Sequence, residues 1–273
     1  MVDIETAFKS PDGTALYGTL ARSDATSSGV AVLVHGSGVT REEGGFFTRL
    51  ASGLADRGVA NLRFDLRAHG ASEGRESELT IASVVNDARA ACDHVRSETG
   101  WAGPVHVISA SFSGGACALL AGQRPQDVGR LVLLNPRLDY RERYTTSRPG
   151  WKDDYLSAEA AAELEAKGFT ERSPFELGRA LLNEVLLWDL PAVLAAVTAP
   201  VLMVHGTADT FVPVELSRRC RLLFGGGAEL VEIEGSQHGF AVHEDPQYLN
   251  PQTQAWQRQV IELVGSFVAG SAE

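Results

Sequence analysis

The chain of 273 residues is 44% hydrophobic with a mean hydropathy of −0.06, enough apolar material for a sizeable core in one large domain and too much for a disordered chain. Its formal net charge of −11 argues against a nucleic-acid partner, and no apolar run reaches the roughly 18 residues that a membrane span needs. The cysteines Cys92, Cys117 and Cys220 are odd in number and lack CxxC spacing, which excludes an evident disulfide framework or zinc site, and the start Met1-Val2-Asp3-Ile4-Glu5 lacks the regions of a signal peptide, which points to the cytoplasm.

A hairpin opens the chain: Ile4 to Lys9 and Ala15 to Leu20 alternate as strands around the turn signal Pro11-Asp12-Gly13. Strand and helix patterns then alternate. Val30 to Val34 reads as a buried strand, Phe46 to Arg57 as a helix, Ala60 to Leu66 as a strand and Ile81 to Glu98 as a long helix. The strand Val105 to Ile108, the helix Gly114 to Gln123 and the strand Leu131 to Leu134 follow. Beyond a break come the strand Val201 to His205, the helix Val214 to Phe224, the strand Glu229 to Glu234 and a final helix from Gln252 to Val268. This alternation predicts an α/β fold, a mostly parallel sheet with helices on both faces.

The break, about residues 137–197, is far longer than the dozen or so residues of a minimal crossover. It reads as an inserted helical cap on a single-domain core of 1–136 and 198–273. Helical stretches are expected at Ala158 to Lys167 and Phe175 to Trp188, interleaved with aromatic residues. Of these, Tyr144, Trp151, Tyr155 and Trp188 are candidates to line a pocket. Arg137, Arg141, Arg143 and Arg148 read as solvated surface, since Asp139 and Glu142 are interspersed; recognition of a carboxylate or a phosphate is the alternative.

In open α/β sheets the loops beyond the carboxyl ends of the strands converge on one site. Three of those loops carry a serine, a carboxylate and a histidine in chain order: Ser109-Ala110-Ser111-Phe112-Ser113-Gly114-Gly115, then Gly206-Thr207-Ala208-Asp209, then Gln237-His238-Gly239-Phe240. A serine hydroxyl is a weak nucleophile until an imidazole takes its proton, and a carboxylate fixes that imidazole's tautomer. The plain alternatives are an ordinary turn serine, a turn or N-cap aspartate, and a solvated loop histidine, with His243 as the rival base. His35, His69 and His205 read as braces for their loops.

HGSG at 35–38, DLRAHGAS at 65–72, the serine turn at 109–115, HGTADTFVP at 205–213 and QHGF at 237–240 together resemble the α/β-hydrolase family, in order and spacing. The branch it is most similar to holds cinnamoyl and feruloyl esterases and their peptidase-like relatives. The resemblance implies Ser111 as nucleophile, Asp209 as orienting acid, His238 as general base, and the backbone N–H groups of Ser37 and Phe112 as oxyanion donors. It also implies a carboxylic-ester hydrolase working through an acyl-enzyme on a small apolar or aromatic acyl group, with no cofactor and no metal. The partner expected is a small-molecule ester or thioester, with neither nucleic acid nor membrane; a homodimer is left open. A thioesterase, acyltransferase, cyclase or peptidase could use the same triad, and a binding protein could keep the fold without turnover. The family's GxSxG elbow carries Ser109 and Ser113 here in place of its outer glycines.

Overall fold

The computed structural model describes residues 2–22, 27–172, 175–245 and 247–270. The opening hairpin pairs β1 (Val2–Lys9) with β2 (Ala15–Arg22), Val2 opposite Arg22 and Lys9 opposite Ala15. Next in the chain are β3 (Gly29–Val34), α1 (Phe46–Ala55), β4 (Val59–Phe64), α2 (Ile81–Thr99), β5 (Val105–Ala110), α3 (Ser113–Gln123) and β6 (Val128–Leu134). These elements lie within a few residues of the sequence expectation, because β-branched runs bounded by turn residues leave little choice of conformation.

Segment 137–197 comes next. It contains a π-helical turn (Glu142–Thr146), β7 (Trp151–Lys152), β8 (Tyr155–Leu156), α4 (Ala158–Lys167), β9 (Phe169–Arg172), β10 (Glu176–Gly178), α5 (Arg179–Val185) and α6 (Leu190–Ala195). Two short hairpins, β7–β8 and β9–β10, thus accompany the expected helices. The helix expected over Phe175 to Trp188 is confined to Arg179–Val185. Gly178 explains its late start: a Cβ there would lie 1.7 Å from the Ser77 carbonyl oxygen, so the chain passes too close to the Glu76–Glu78 turn to coil any earlier. The core resumes with β11 (Val201–Gly206), α7 (Val214–Cys220), β12 (Ala228–Ile233) and α8 (Pro251–Ala269).

Eight strands form one sheet in the order β1-β2-β4-β3-β5-β6-β11-β12, parallel from β4 to β12, with β2 antiparallel to β4. Both faces are covered. Val30, Val32 and Val34 face α2, α3 and segment 137–197, whereas Ala31 and Leu33 face α1 and α8, the period-2 alternation of a strand buried on both sides. Thr80 caps α2 through a reciprocal pair of hydrogen bonds with Ser83, worth about 1 kcal/mol, and Gly100 ends it with φ at 68°. That helix carries Asp87, fully buried, whose carboxylate grips the Arg67 side chain and backbone N–H and so fixes the loop after β4. Among the described residues, no helix is long and apolar enough to cross a membrane. All three cysteines are free and buried.

Candidate active site

Ser111 sits between β5 and α3 with φ at 51°, the left-handed region that a non-glycine residue enters only when its surroundings hold it there. Three backbone hydrogen bonds do so: Ser111 N–H donates to the Leu134 carbonyl (2.9 Å), and its own carbonyl accepts from Gly114 (3.0 Å) and Arg137 (2.8 Å). The start of α3 and the chain leaving β6 approach closely because Gly114 and Gly115 carry no side chain. A Cβ on them would lie 2.7 Å from Pro136 Cβ and 2.6 Å from the Tyr140 ring. The two serines that replace the outer glycines are buried and turned away. Ser113 Oγ donates to the carbonyls of Val34 and Ala110, each at 2.9 Å, and Ser109 Oγ faces the Val132 carbonyl at 3.4 Å. Neither hydroxyl competes for the group that Ser111 contacts.

That group is His238, in the short turn after β12. Its Nε2 accepts from Ser111 Oγ at 3.0 Å, and its Nδ1–H donates to Asp209 Oδ2 at 2.6 Å. Asp209 follows β11 and is inaccessible to solvent at its side chain. Burial alone would raise its pKa, but the contacts from His205 and His238 and the Val212 N–H outweigh it and hold the carboxyl well below the usual carboxylate range. Its Oδ1 accepts from the N–H groups of Phe211 and Val212, both at 2.9 Å, and its Oδ2 also accepts from Asn135 Nδ2 at 2.6 Å. The acid and base loops are tied together by Ala208 N–H on the Ser236 carbonyl (3.0 Å). His243 lies instead against Phe211, ring centroids 5.2 Å apart, and has no contact with Ser111.

A cavity of about 280 Å³ opens over the serine, lined in part by Ser37, Phe112, Tyr144, Phe211 and His238. Among the described residues, the backbone N–H groups of Ser37 and Phe112 have no protein acceptor. The loop that carries Ser37 is braced from both sides. His35 Nδ1–H donates to the Gly36 carbonyl (2.6 Å) while Nε2 accepts from Leu66 N–H (2.9 Å), and burial draws its pKa down to about 3, so the ring is neutral and keeps this tautomer. Gly38 N–H donates to His69 Nε2 at 3.1 Å. His205 likewise binds Ser217 Oγ (2.6 Å) and the Val212 carbonyl (2.8 Å).

Of the four aromatic residues expected in the pocket, the structure brings only Tyr144 to the serine. Trp151 lines a separate surface depression with Arg141 and Lys152, and Tyr155, on a two-residue strand, is 77% exposed. Trp188 packs edge-on against Tyr140 and donates Nε1–H to the Leu138 carbonyl (2.8 Å). It thereby supports Tyr140, whose hydroxyl donates to the Phe112 carbonyl and accepts from Ala116 N–H, so both aromatics act on the serine turn from behind.

Three residues of the site have no counterpart in the sequence reading: Asn135, Phe211 and Glu43. Asn135 directly follows β6 and Phe211 lies two residues past Asp209, both within loops that the strand-end rule singles out. Glu43 carries no local signal. Its Oε1 accepts from Gly36 N–H at 2.6 Å, and together with Asn135, Phe240, Tyr248 and Ser111 it lines a smaller cavity of about 90 Å³ behind the serine. Eight described non-glycine residues have positive φ, and these five are among them. Backbone strain, of order 1–3 kcal/mol per residue, is therefore concentrated here.

Burial raises the Glu43 pKa, against the opposing pull of the Gly36 N–H and of His238. A carboxyl with a raised folded-state pKa costs stability as pH climbs from the unfolded value, about 4, through the folded one. Glu43→Gln keeps an acceptor for Gly36 and removes that cost, so its melting temperature should gain on wild type as pH rises. Glu43→Ala leaves the Gly36 N–H unpaired and should lose about 1–3 kcal/mol at every pH. Thermal unfolding across pH 4 to 9 distinguishes the two; parallel curves for wild type and Glu43→Gln would show that no carboxylate is being desolvated.

Comparison with known proteins identifies the fold and the family. A monoacylglycerol lipase of Mycolicibacterium smegmatis is 26% identical over 240 residues, covering 78% of this chain and 82% of the lipase. Among solved structures, Est1E from Butyrivibrio proteoclasticus with ferulic acid bound superposes with a TM-score of 0.75 at 21% identity, over 95% of this chain and 99% of Est1E. Alpha/beta hydrolase domain-containing protein 10 from mouse does so with a TM-score of 0.70 at 18% identity, over 97% and 99%. These likenesses are of fold. The sequence profile of the alpha/beta hydrolase family matches residues 31–252, a stretch that runs from β3 into α8 and takes in Ser111, Asp209 and His238, and the chain belongs to that family.

Proposed function

We propose that the protein is a serine hydrolase that cleaves a carboxylic ester with a small acyl group. The observation that carries this reading is the continuous hydrogen-bonded chain from Ser111 Oγ through His238 to a buried Asp209, opening on a cavity flanked by the N–H groups of Ser37 and Phe112. His238 Nε2 takes the Ser111 proton as Oγ attacks the carbonyl carbon, and the two amides hold the oxygen that becomes negative. His238 then gives the proton to the leaving oxygen. In the second half it takes a proton from water, which attacks the acyl-enzyme and returns the serine. Segment 137–197 serves as a cap that narrows access and excludes bulk water; its Tyr144, with Phe112 and Phe211 from the core loops, forms the aromatic walls of the cavity. A cavity of about 280 Å³ suits a small acyl group. The monoacylglycerol lipase named above supports ester chemistry on this scaffold.

A matched series of butyryl oxygen ester, thioester and anilide, each rate divided by its uncatalysed rate, tests the bond type. The oxygen ester should show the largest kcat/KM. A thioester advantage of tenfold or more would transfer the same triad to a thioesterase, and labelling by a fluorophosphonate without turnover of any of the three would overturn the hydrolase reading.

A further inference from the structure

Four arginines at the start of segment 137–197 read from sequence as solvated surface, and the structure separates them. Arg141 pairs with Asp154 at the surface, the two side chains 46% and 43% exposed. Arg137 is only 7% exposed and belongs to the site in two ways. Its backbone is part of the serine turn: Arg137 N–H donates to the Ser111 carbonyl at 2.8 Å, and the Arg137 carbonyl accepts from Gly115 N–H at 3.1 Å. Its side chain is part of the acid loop. Nη1 donates to Asp139 Oδ1 at 2.9 Å, and Nη2 donates to the Phe211 carbonyl.

The Phe211 carbonyl belongs to the same planar trans peptide as the Val212 N–H, so the two groups point in opposite directions and a hydrogen bond on one aims the other. That N–H is one of the two that Asp209 Oδ1 accepts, at 2.9 Å. The next carbonyl, of Val212, is held by His205 Nε2 at 2.8 Å. Two successive carbonyls of the acid loop are therefore anchored, one by each side chain. We propose, resting on the hydrolase reading above, that Arg137 is a positioning residue for the triad. It locks the Phe211–Val212 peptide with its N–H aimed at Asp209, and it ties the acid loop to the serine turn so that Asp209, His238 and Ser111 stay aligned. The position requires a guanidinium, because Asp139 and the Phe211 carbonyl are served by two different nitrogens of one rigid fork. Asp139 offsets the cost of burying the cation, which leaves the side chain to act as a fixed brace. A charged donor on the Phe211 carbonyl also polarises that peptide and strengthens its N–H toward the carboxylate.

Arg137→Lys, assayed in the whole protein with 4-nitrophenyl butyrate, tests this. Lysine keeps the charge and the pairing with Asp139 but has a single nitrogen, which the carboxylate claims, so the Phe211 carbonyl loses its donor. The substitution should lower kcat by about tenfold to a hundredfold, the worth of one hydrogen bond involving a charged group. In an Asp209→Asn background the same substitution should change kcat by less than about twofold, because no carboxylate is left for the peptide to hold. Arg141→Lys should leave kcat unchanged in both backgrounds. If Arg137→Lys does not fold, Arg137→Met combined with Asp139→Leu replaces the buried pair with apolar side chains, strands no charge, and should give the same two results. A folded variant with wild-type kcat would overturn the inference and leave the hydrolase reading standing. So would a change confined to KM, or a loss as large in Asp209→Asn as in wild type, the results that direct contact with substrate would give. A wild type inert toward both the ester and a fluorophosphonate would overturn the hydrolase reading itself, and the inference with it.

Discussion

Ser111→Ala should lower kcat for any ester substrate by about a millionfold and abolish fluorophosphonate labelling, with no measurable change in stability. The separation of the two effects follows from the local structure. The left-handed backbone at position 111 is held by hydrogen bonds from Ser111 N–H and to its carbonyl, and alanine keeps all of them. Alanine is no more strained than serine at this φ, so the substitution removes one oxygen and the 3.0 Å contact to His238 Nε2. No neighbouring hydroxyl can stand in. Ser113 is committed to two backbone carbonyls and Ser109 faces a third, both buried in the walls of the turn. Labelling of intact protein, followed by mass spectrometry of the modified peptide, checks the assignment directly. Retention of label in a folded Ser111→Ala variant, or a kcat loss smaller than about a thousandfold, would remove Ser111 from the role proposed for it.

What could be read from sequence, and what could not, divides along a physical line. The strands β5, β11 and β12 and the loops that follow them are each specified by contiguous residues, a run rich in β-branched residues and then glycine, serine or aspartate in a turn. Local pattern was enough to place Ser111, Asp209 and His238 on three strand ends of one sheet. The groups that tune the site act across the fold. Glu43 reaches Gly36 only because residues 43, 44 and 45 all adopt positive φ, which turns the loop back toward β3. Only Gly44 and Gly45 advertise such a turn in sequence, and they do not say where the carboxyl will point. Asn135 was open to the strand-end rule, yet its partner Asp209 is 74 residues away.

Aromatic content in segment 137–197 misled for a similar reason. A ring in an insertion can face the substrate, the sheet or the solvent, and composition does not distinguish these. Tyr144 faces the cavity, Tyr140 faces the serine turn with Trp188 packed against it, and Tyr155 faces water. Charge misled in the opposite direction. Interspersed acids suggested that all four arginines were solvated, whereas Asp139 helps bury Arg137 beside the cavity. Proximity in sequence does not name the partner: Arg137 pairs with Asp139, but Arg141 pairs with Asp154 rather than with adjacent Glu142, and burial decides whether such a cation belongs to the surface or the site.

Asp209→Asn should lower kcat by about ten-thousandfold and, unlike the serine variant, should also cost stability. The carboxylate is surrounded by donors alone: two backbone N–H groups on Oδ1, and Asn135 Nδ2 with His238 Nδ1–H on Oδ2. An asparagine has one acceptor end. If its NH₂ faces Asn135 and His238, two donors meet a donor; if it is flipped, the clash moves to Phe211 and Val212. Either way at least one buried donor loses its partner, at about 1–3 kcal/mol, and the first orientation also drives His238 to the tautomer that cannot take the serine proton. The pH dependence has a definite sign. The folded-state pKa of Asp209 is depressed, so its stabilisation is full above the unfolded value near 4 and is lost as pH falls through that value toward the folded one. Asparagine cannot titrate, so the stability gap between wild type and Asp209→Asn should narrow on acidification below about pH 4. Denaturant melts at pH 7 and pH 3, with kcat at pH 7, measure both effects. A gap that widens at pH 3 would mean that Asp209 is not held ionised by its donors, and the account of how His238 keeps its tautomer would fall with it.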